Sequence, residues 1–166
     1  MNATIELEAA AFRSAMAMFA SGVTVVTTID RVSQKSVGFT ASAFSSLSLD
    51  PPLVLVCLDR KAESHRCFQE ARTMAISILA EGQDELALRF AKRGAEKFTG
   101  GTTAGPITSC QLVDGAVAQL ECEVEHLLPG GDHSIVVGRV LRATVEESER
   151  PMVHFNRRFG AFVPLG

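Results

Sequence analysis

The spacing of apolar residues changes period several times along the chain, and each change marks an element. Leu7, Ala11, Ala15, Met18 and Phe19 recur near helical spacing, which predicts an amphipathic helix over about 7–20 that Ser21-Gly22 ends. Val23-Thr24-Val25-Val26-Thr27-Thr28-Ile29 follows. β-branched side chains pack well on a pleated surface, so this run reads as a strand, with a polar turn from Asp30 through Lys35. A second strand is predicted over 36–42. Asp50-Pro51-Pro52 is a rigid turn, because each proline fixes its own φ and pushes the residue before it toward extended geometry. Leu53-Val54-Leu55-Val56-Cys57-Leu58 is apolar throughout and reads as a buried strand.

Beyond Leu58 the chain turns abruptly charged, from Asp59 to Arg66, which suits a strand end opening onto a short helix through Glu70. A strand over 73–79 and a helix over 84–92 follow, the helix carried by Leu86, Leu88 and Phe90 and made basic at its end by Arg89, Lys92, Arg93 and Lys97. Residues 100–106, Gly-Gly-Thr-Thr-Ala-Gly-Pro, read as a loop by composition. Two long strands over 116–128 and 134–145 are joined by Pro129-Gly130-Gly131-Asp132, a hairpin signal. Glu121, Glu123 and Glu125 alternate with Cys122 and Val124, which predicts one face of that strand in water. Strands dominate and never alternate regularly with long helices. The pattern predicts a mainly β (α+β), antiparallel, barrel-like domain over about 22–163 with helices packed outside.

A chain of 166 residues is long enough to bury a continuous core, and a single domain over 1–166 is expected. Its net charge of −3 shows none of the basic surplus that phosphate backbones attract, so no nucleic-acid partner is expected. No apolar run approaches the roughly 18 residues that span a bilayer, and Met1-Asn2-Ala3-Thr4-Ile5-Glu6 lacks the basic and apolar regions of a signal peptide. No membrane association is expected, and the expected location is cytoplasmic. Cys57, Cys67, Cys110 and Cys122 form no CxxC pair and read as buried thiols in that compartment. A hydrophobic content of 46% is high for a small monomer, and it predicts a homodimer that hides an apolar face.

Several motifs are missing. No GxGxxG follows a strand, Gly101 and Gly105 lack the Lys-Ser/Thr of a phosphate loop, and no GxSxG elbow is present. Cys122, His126 and His133 match no standard zinc spacing, so no metal is expected. Residues 38–52 are crowded with small and hydroxylic side chains, among them Thr40, Ser42, Ser45, Ser46 and Ser48. Such a stretch either satisfies its own backbone as a solvated loop or lets a flat, polar-edged ligand reach the main chain. Anchoring between two apolar strands suits the second reading, and Arg60 and Lys61 suit a phosphate. His133, at the hairpin corner, and Arg157-Arg158 read first as surface polar residues.

Ser21-Gly22-Val23-Thr24-Val25-Val26-Thr27-Thr28, Gly38-Phe39-Thr40-Ala41-Ser42-Ala43-Phe44, Ser48-Leu49-Asp50-Pro51-Pro52, Leu120-Glu121-Cys122 and Gly131-Asp132-His133 together resemble the short-chain flavin reductase family. These are the reductase components of two-component flavin-dependent monooxygenases, and they share an FMN-binding split β-barrel. The resemblance runs from Phe12-Arg13 through Phe159. Arg89-Phe90-Ala91-Lys92-Arg93 and Glu96-Lys97-Phe98-Thr99-Gly100-Gly101 look most like reductases that serve hydroxylases of aromatic natural products.

Carried over residue by residue, the resemblance implies that Thr40, Ala41, Ser42 and Ala43 line the isoalloxazine, with Ser45 and Ser46 on the same wall. Cys57, Leu58, Asp59, Arg60 and Lys61 would follow the ribityl and phosphate, with Ser64 near them, and Phe90, Lys97 and Phe98 would close the phosphate or adenine side. His133, Arg157 and Phe159 would meet NADH or NADPH. The implied reaction is hydride transfer from NAD(P)H to FMN or FAD, releasing reduced flavin to a separate oxygenase, and it requires no general acid or base. A non-enzymatic flavin-binding or electron-carrier module on the same fold is the alternative. Ala43 stands where many relatives carry Asn or Ser. Tyr and Trp are absent, so ring stacking must come from Phe or from the nicotinamide.

Overall fold

The structure, a computed structural model, describes residues 8–165. Helix α1 (Ala9–Ala17) leads into β1 (Ser21–Gly22), β2 (Thr24–Ile29), β3 (Ser36–Ala41), β4 (Phe44–Leu49) and β5 (Pro52–Asp59). Then come α2 (His65–Gln69), β6 (Thr73–Ile78), α3 (Asp84–Ala91), β7 (Thr102–Ala104) and β8 (Gln111–Val113), followed by β9 (Ala118–Gly130), β10 (His133–Val145), β11 (Met152–Phe155) and β12 (Arg158–Ala161). Seven strands make one antiparallel sheet in the order β3-β2-β6-β9-β10-β5-β4. Its two outermost strands, β3 and β4, are consecutive in the chain and joined only by Ser42-Ala43. The sheet therefore curls until its ends meet, and the barrel stays split where they meet.

Both faces of β2 are buried, which explains why its sequence is β-branched throughout rather than alternating. One face joins the barrel interior, where Val26, Phe39, Val54, Val56, Leu58, Phe68, Met74, Ile76, Cys122 and Val136 pack together. The other lies beneath α3, whose Ala87 and Phe90 pack with Val23, Val25 and Val113. Gly38 permits this approach. A Cβ there would sit 2.8 Å from the Val26 carbonyl oxygen and 3.1 Å from the Phe90 ring.

Three expected element boundaries or types change. The N-terminal helix is shorter than 7–20, and Leu7 lies outside the described residues; none of the α1 side chains is buried. The hydroxyl-rich stretch is not a loop, since Phe44–Leu49 pairs with β5 as an edge strand. Part of the glycine-rich segment 100–106 is also a strand, because Thr102–Ala104 pairs with Gln111–Val113.

Glu121 corrects the alternation expected for β9. Glu123 and Glu125 reach solvent and pair with Arg139, but Glu121 is fully buried. A register shift between Val140 and Arg142 brings Arg142 opposite it, 3.5 Å from Oε1, while Oε2 accepts the Ile107 N–H at 2.9 Å, the Thr108 N–H at 2.7 Å and the Thr108 hydroxyl at 2.9 Å. Burial pushes its carboxyl up, but the Thr108 and Ile107 donors and Arg142 outweigh it and hold the group below the ordinary 4.5. A depressed folded-state value means stabilisation that is complete above the unfolded value and lost as pH falls through the folded one. Glu121→Gln should therefore cost about 1–3 kcal/mol at neutral pH, and its melting curve should approach the wild type's as pH falls below about 4. A gap that stays constant over that range would refute the assignment.

Candidate functional site

Antiparallel ladders use alternate residues of a strand, so the bonded side of each residue can be followed across the sheet. Val23 accepts the Leu79 N–H, which turns the odd-numbered residues of β2 toward β6 and the even-numbered ones toward β3. Val37, Phe39 and Ala41 then carry the β3 ladder, and the backbone groups of Gly38 and Thr40 point out of the sheet. Lys97 confirms the direction, since its Nζ donates to the Gly38 carbonyl at 2.9 Å from outside. Across the split, the Cys57 N–H bonds the Ala43 carbonyl at 2.9 Å, and Asp59, two residues on, faces the same way past the end of β4. Thr40 and Asp59 thus present main-chain N–H groups to the seam from opposite sides.

A cleft of about 470 Å³ occupies that seam, within the usual range of small-molecule sites. Phe39, Thr40, Ala41, Ser42 and Ala43 form one wall and Cys57, Leu58, Asp59 and Lys61 the other. Ser64, Phe90, Arg93 and Lys97 lie along it, and His133 reaches it from the β9–β10 hairpin. That hairpin turns on Gly131 and Asp132, with Gly131 at φ 69°, and pairs His133 with Asp59. His133 Nδ1 stands 2.7 Å from Asp132 Oδ1.

Of the residues implied by the resemblance, twelve line the cleft: Thr40, Ala41, Ser42, Ala43, Cys57, Leu58, Asp59, Lys61, Ser64, Phe90, Lys97 and His133. Thr40 does so with its backbone, because its hydroxyl is committed to the Ala87 carbonyl at 2.6 Å. Ser45 and Ser46 stand outside on β4, the Ser45 hydroxyl donating to the Ser46 carbonyl. Arg60 is exposed and also outside, its N–H bound to the Asp132 carbonyl. Phe98 lines a smaller neighbouring cavity that shares Glu63, Ser64 and Lys97 with the first. Arg157 and Phe159 belong to the β11–β12 hairpin and do not line the cleft of this chain.

Sequence reasoning missed Phe39, Glu63 and Arg93. Phe39 was legible in the Gly38-Phe39-Thr40 run, but Glu63 and Arg93 meet only through the fold, with Arg93 Nε 3.4 Å from a Glu63 oxygen. Burial pushes the half-buried Lys97 ammonium below the usual lysine value, partly opposed by Glu63. Ser64 carries the strongest hint of a ligand. It caps α2, whose His65 is pinned by its contact with Ser134 at 2.9 Å, and its buried hydroxyl has no partner. A buried hydroxyl without a partner is uncommon, because leaving it unpaired costs free energy.

Residues 16–162 match the flavin reductase like domain family, and the chain belongs to that family. It is 45% identical over 149 residues to the actinorhodin polyketide dimerase of Streptomyces coelicolor, covering 90% of this chain and 84% of that one. It is 40% identical over 153 residues to the reductase component of the 4-hydroxyphenylacetate 3-monooxygenase of Thermus thermophilus, covering 92% and 96%. Among solved structures, the NADH:FAD oxidoreductase of Streptomyces globisporus, in complex with NAD and FAD fragments, superposes with a TM-score of 0.89 at 36% identity, over 96% of this chain and 98% of the other. The split barrel expected from the resemblance is the fold observed.

The two hydroxyls should separate in a stability assay. Thr40→Val removes a bond to the backbone of α3 and should cost about 1 kcal/mol, or roughly 2–4 °C in Tm. Ser64→Ala removes no intramolecular bond and should leave Tm nearly unchanged; an equal fall in both would mean that Ser64 is structural.

Proposed function

We propose that this chain is an NADH-dependent flavin reductase of one domain that reduces FMN or FAD and releases it to a separate flavin-dependent oxygenase. The observation that carries this reading is the split where the sheet ends β3 and β4 meet, where main-chain donors from Thr40 and Asp59, Ser64 with its unpartnered hydroxyl and the Lys61, Arg93 and Lys97 cations line one cleft. The residues fit a flavin. Ala41, Ala43 and Leu58 leave room for a flat ring, outward N–H groups suit its carbonyl and nitrogen edge, and the cationic end with Ser64 suits its phosphate.

A bound flavin would supply the hydride acceptor for NADH. The chain's own task is to bind, orient and exclude water. Thr40 to Ala43 hold one edge of the ring with backbone, which costs little ordering because β3 is anchored on β2. His133 stands at the end of the cleft nearest Asp59, held by Asp132, and meets the nicotinamide substrate. No side chain needs to move a proton for hydride transfer, so His133 is a binding group here. NADH is held in the cytoplasm, which is where this reading puts the protein. The name of the Thermus thermophilus relative favours an oxygenase acting on an aromatic compound, and that of the Streptomyces coelicolor relative a polyketide substrate.

The same reading makes the chain a homodimer. Helix α1 buries none of its side chains, yet Phe12, Met16, Met18 and Phe19 on and after it are 51–75% exposed, and Phe162, Val163 and Leu165 near the other end of the described residues are exposed as well. A second copy covers such a face, and Arg157 and Phe159 would then serve the partner's cleft. Light scattering should report twice the chain mass, and Phe12→Glu with Met16→Glu should shift it to the monomer. A monomeric wild type would refute the dimer.

The activity is tested by following NADH consumption with and without added FMN, FAD or riboflavin. Turnover should depend on added flavin, and His133→Ala should raise KM for NADH about threefold to tenfold while flavin affinity holds. Flavin binding without NADH oxidation would instead identify a carrier, and an unchanged KM would remove His133 from the nicotinamide site.

A further inference from the structure

Two carboxylates line the cleft, and they are used differently. Asp59 caps its own turn, accepting the Lys61 N–H at 2.8 Å. Glu63 instead collects donors from the segment after α3. The Gly94 N–H lies 3.0 and 3.1 Å from its two oxygens, Arg93 Nε lies 3.4 Å away, and the Lys97 charge acts on it as well. A main-chain N–H and a guanidinium converging on one point, with an ammonium near enough to add its charge, is the donor set of a phosphate. The Gly94 N–H, against some opposition from burial, holds the Glu63 carboxyl below its ordinary range with help from Arg93 and Lys97, so at neutral pH the group is an anion.

This cluster lies at the phosphate end of the cleft. The smaller cavity shares Glu63, Ser64 and Lys97 with the main cleft and does not include His133, so these residues mark the end away from the nicotinamide corner. Ser64, whose buried hydroxyl has no partner, is the next residue and lines both cavities. Meanwhile the segment after α3 has other latches. Lys97 Nζ holds the Gly38 carbonyl, and Arg89 holds the Thr99 hydroxyl at 2.8 Å and the Gly100 carbonyl at 2.9 Å. The segment therefore keeps its seat when the Glu63 contact is given up.

We propose that Glu63 is an internal stand-in for the flavin phosphate, competing with it for Arg93 and Gly94 and so setting how weakly the phosphorylated flavin is held. The proposal rests on the flavin reductase reading and deepens it. A phosphate arriving beside Glu63 either displaces the carboxylate from its donors or meets its negative charge, and both lower affinity. For a protein whose reduced product must leave for another enzyme, that is a built-in release device.

Affinities for FMN and for riboflavin, which has no phosphate, test this in the intact chain by fluorescence quenching, alongside Tm. Glu63→Gln should tighten FMN roughly fivefold, the scale of one half-exposed like charge, with riboflavin changed by less than about twofold. The FMN gain should shrink with added salt. Arg93→Gln should weaken FMN and spare riboflavin. Weaker binding of both flavins in Glu63→Gln, the result of a loosened segment, would overturn the proposal, as would equal tightening of both or an unchanged FMN affinity. A wild-type chain that binds neither flavin would overturn the flavin cleft itself, whereas ordinary binding without the FMN-selective gain overturns the release device alone.

Discussion

One hydrogen-bond ladder is never made, and the rest of the molecule is arranged around it. Strand β3 ends the sheet on one side, and the next strand in the chain, β4, ends it on the other, so the barrel closes in space without closing in hydrogen bonds. The Thr40 N–H on the edge of β3 and the Asp59 N–H beyond the end of β4 stay directed at the seam. A buried donor without a partner costs about 1–3 kcal/mol, so such a seam has to stay open to water or to a ligand with polar edges. The connection Ser42-Ala43 is small because it crosses this opening, and Gly38 is glycine because α3 must press on β3 to bound it.

The charge arrangement follows from the same geometry. The chain is acidic overall, yet Lys61, Arg93 and Lys97 gather at one cleft. They come from three places: the end of β5, the end of α3 and the segment beyond it. Each lies next to an element whose position the barrel dictates. Focusing cations in a partly enclosed slot gives local attraction for an anion despite the net charge. Glu63 tempers that attraction from within, which suits a site meant to exchange its occupant rather than retain it.

Most of the barrel was legible in the sequence because its strands are β-branched and bounded by Asp, Gly and Pro; β2, β5 and the β9–β10 hairpin lie close to where their residues predict. The errors share a cause. The segment Phe44–Leu49 is rich in serine because it is an edge strand, exposed on its outer side, and composition alone cannot distinguish such a strand from a loop. Glu121 looked solvent-facing because its neighbours alternate, but the loop carrying Ile107 and Thr108 covers it with donors brought from elsewhere in the chain. In the site, residues adjacent in sequence, Thr40 to Ala43 and Cys57 to Asp59, could be named in advance. The Glu63 and Arg93 contact could not, since 30 residues separate the partners and no spacing pattern links them. Nor could the free state of the Ser64 hydroxyl, which depends on what its neighbours fail to offer.

The absence of Tyr and Trp sharpens how such a cleft must work. Phe39 and Phe90 are the two aromatic residues on its walls, and both rings are already engaged edge to face, Phe39 with Phe68 and Phe90 with Phe98, each pair 5.2 Å apart between centroids. Rings fixed that way fill space and set the shape of the walls, and are not free to turn their faces onto a guest. A planar ligand seated by backbone groups along its polar edge therefore keeps one broad face uncovered by protein aromatics. A second planar molecule, entering past His133, could stack on that face and be held there by the first. In a site built this way, closeness of the two reacting rings comes from their own stacking, and the protein need only fix the edge of one and the approach of the other.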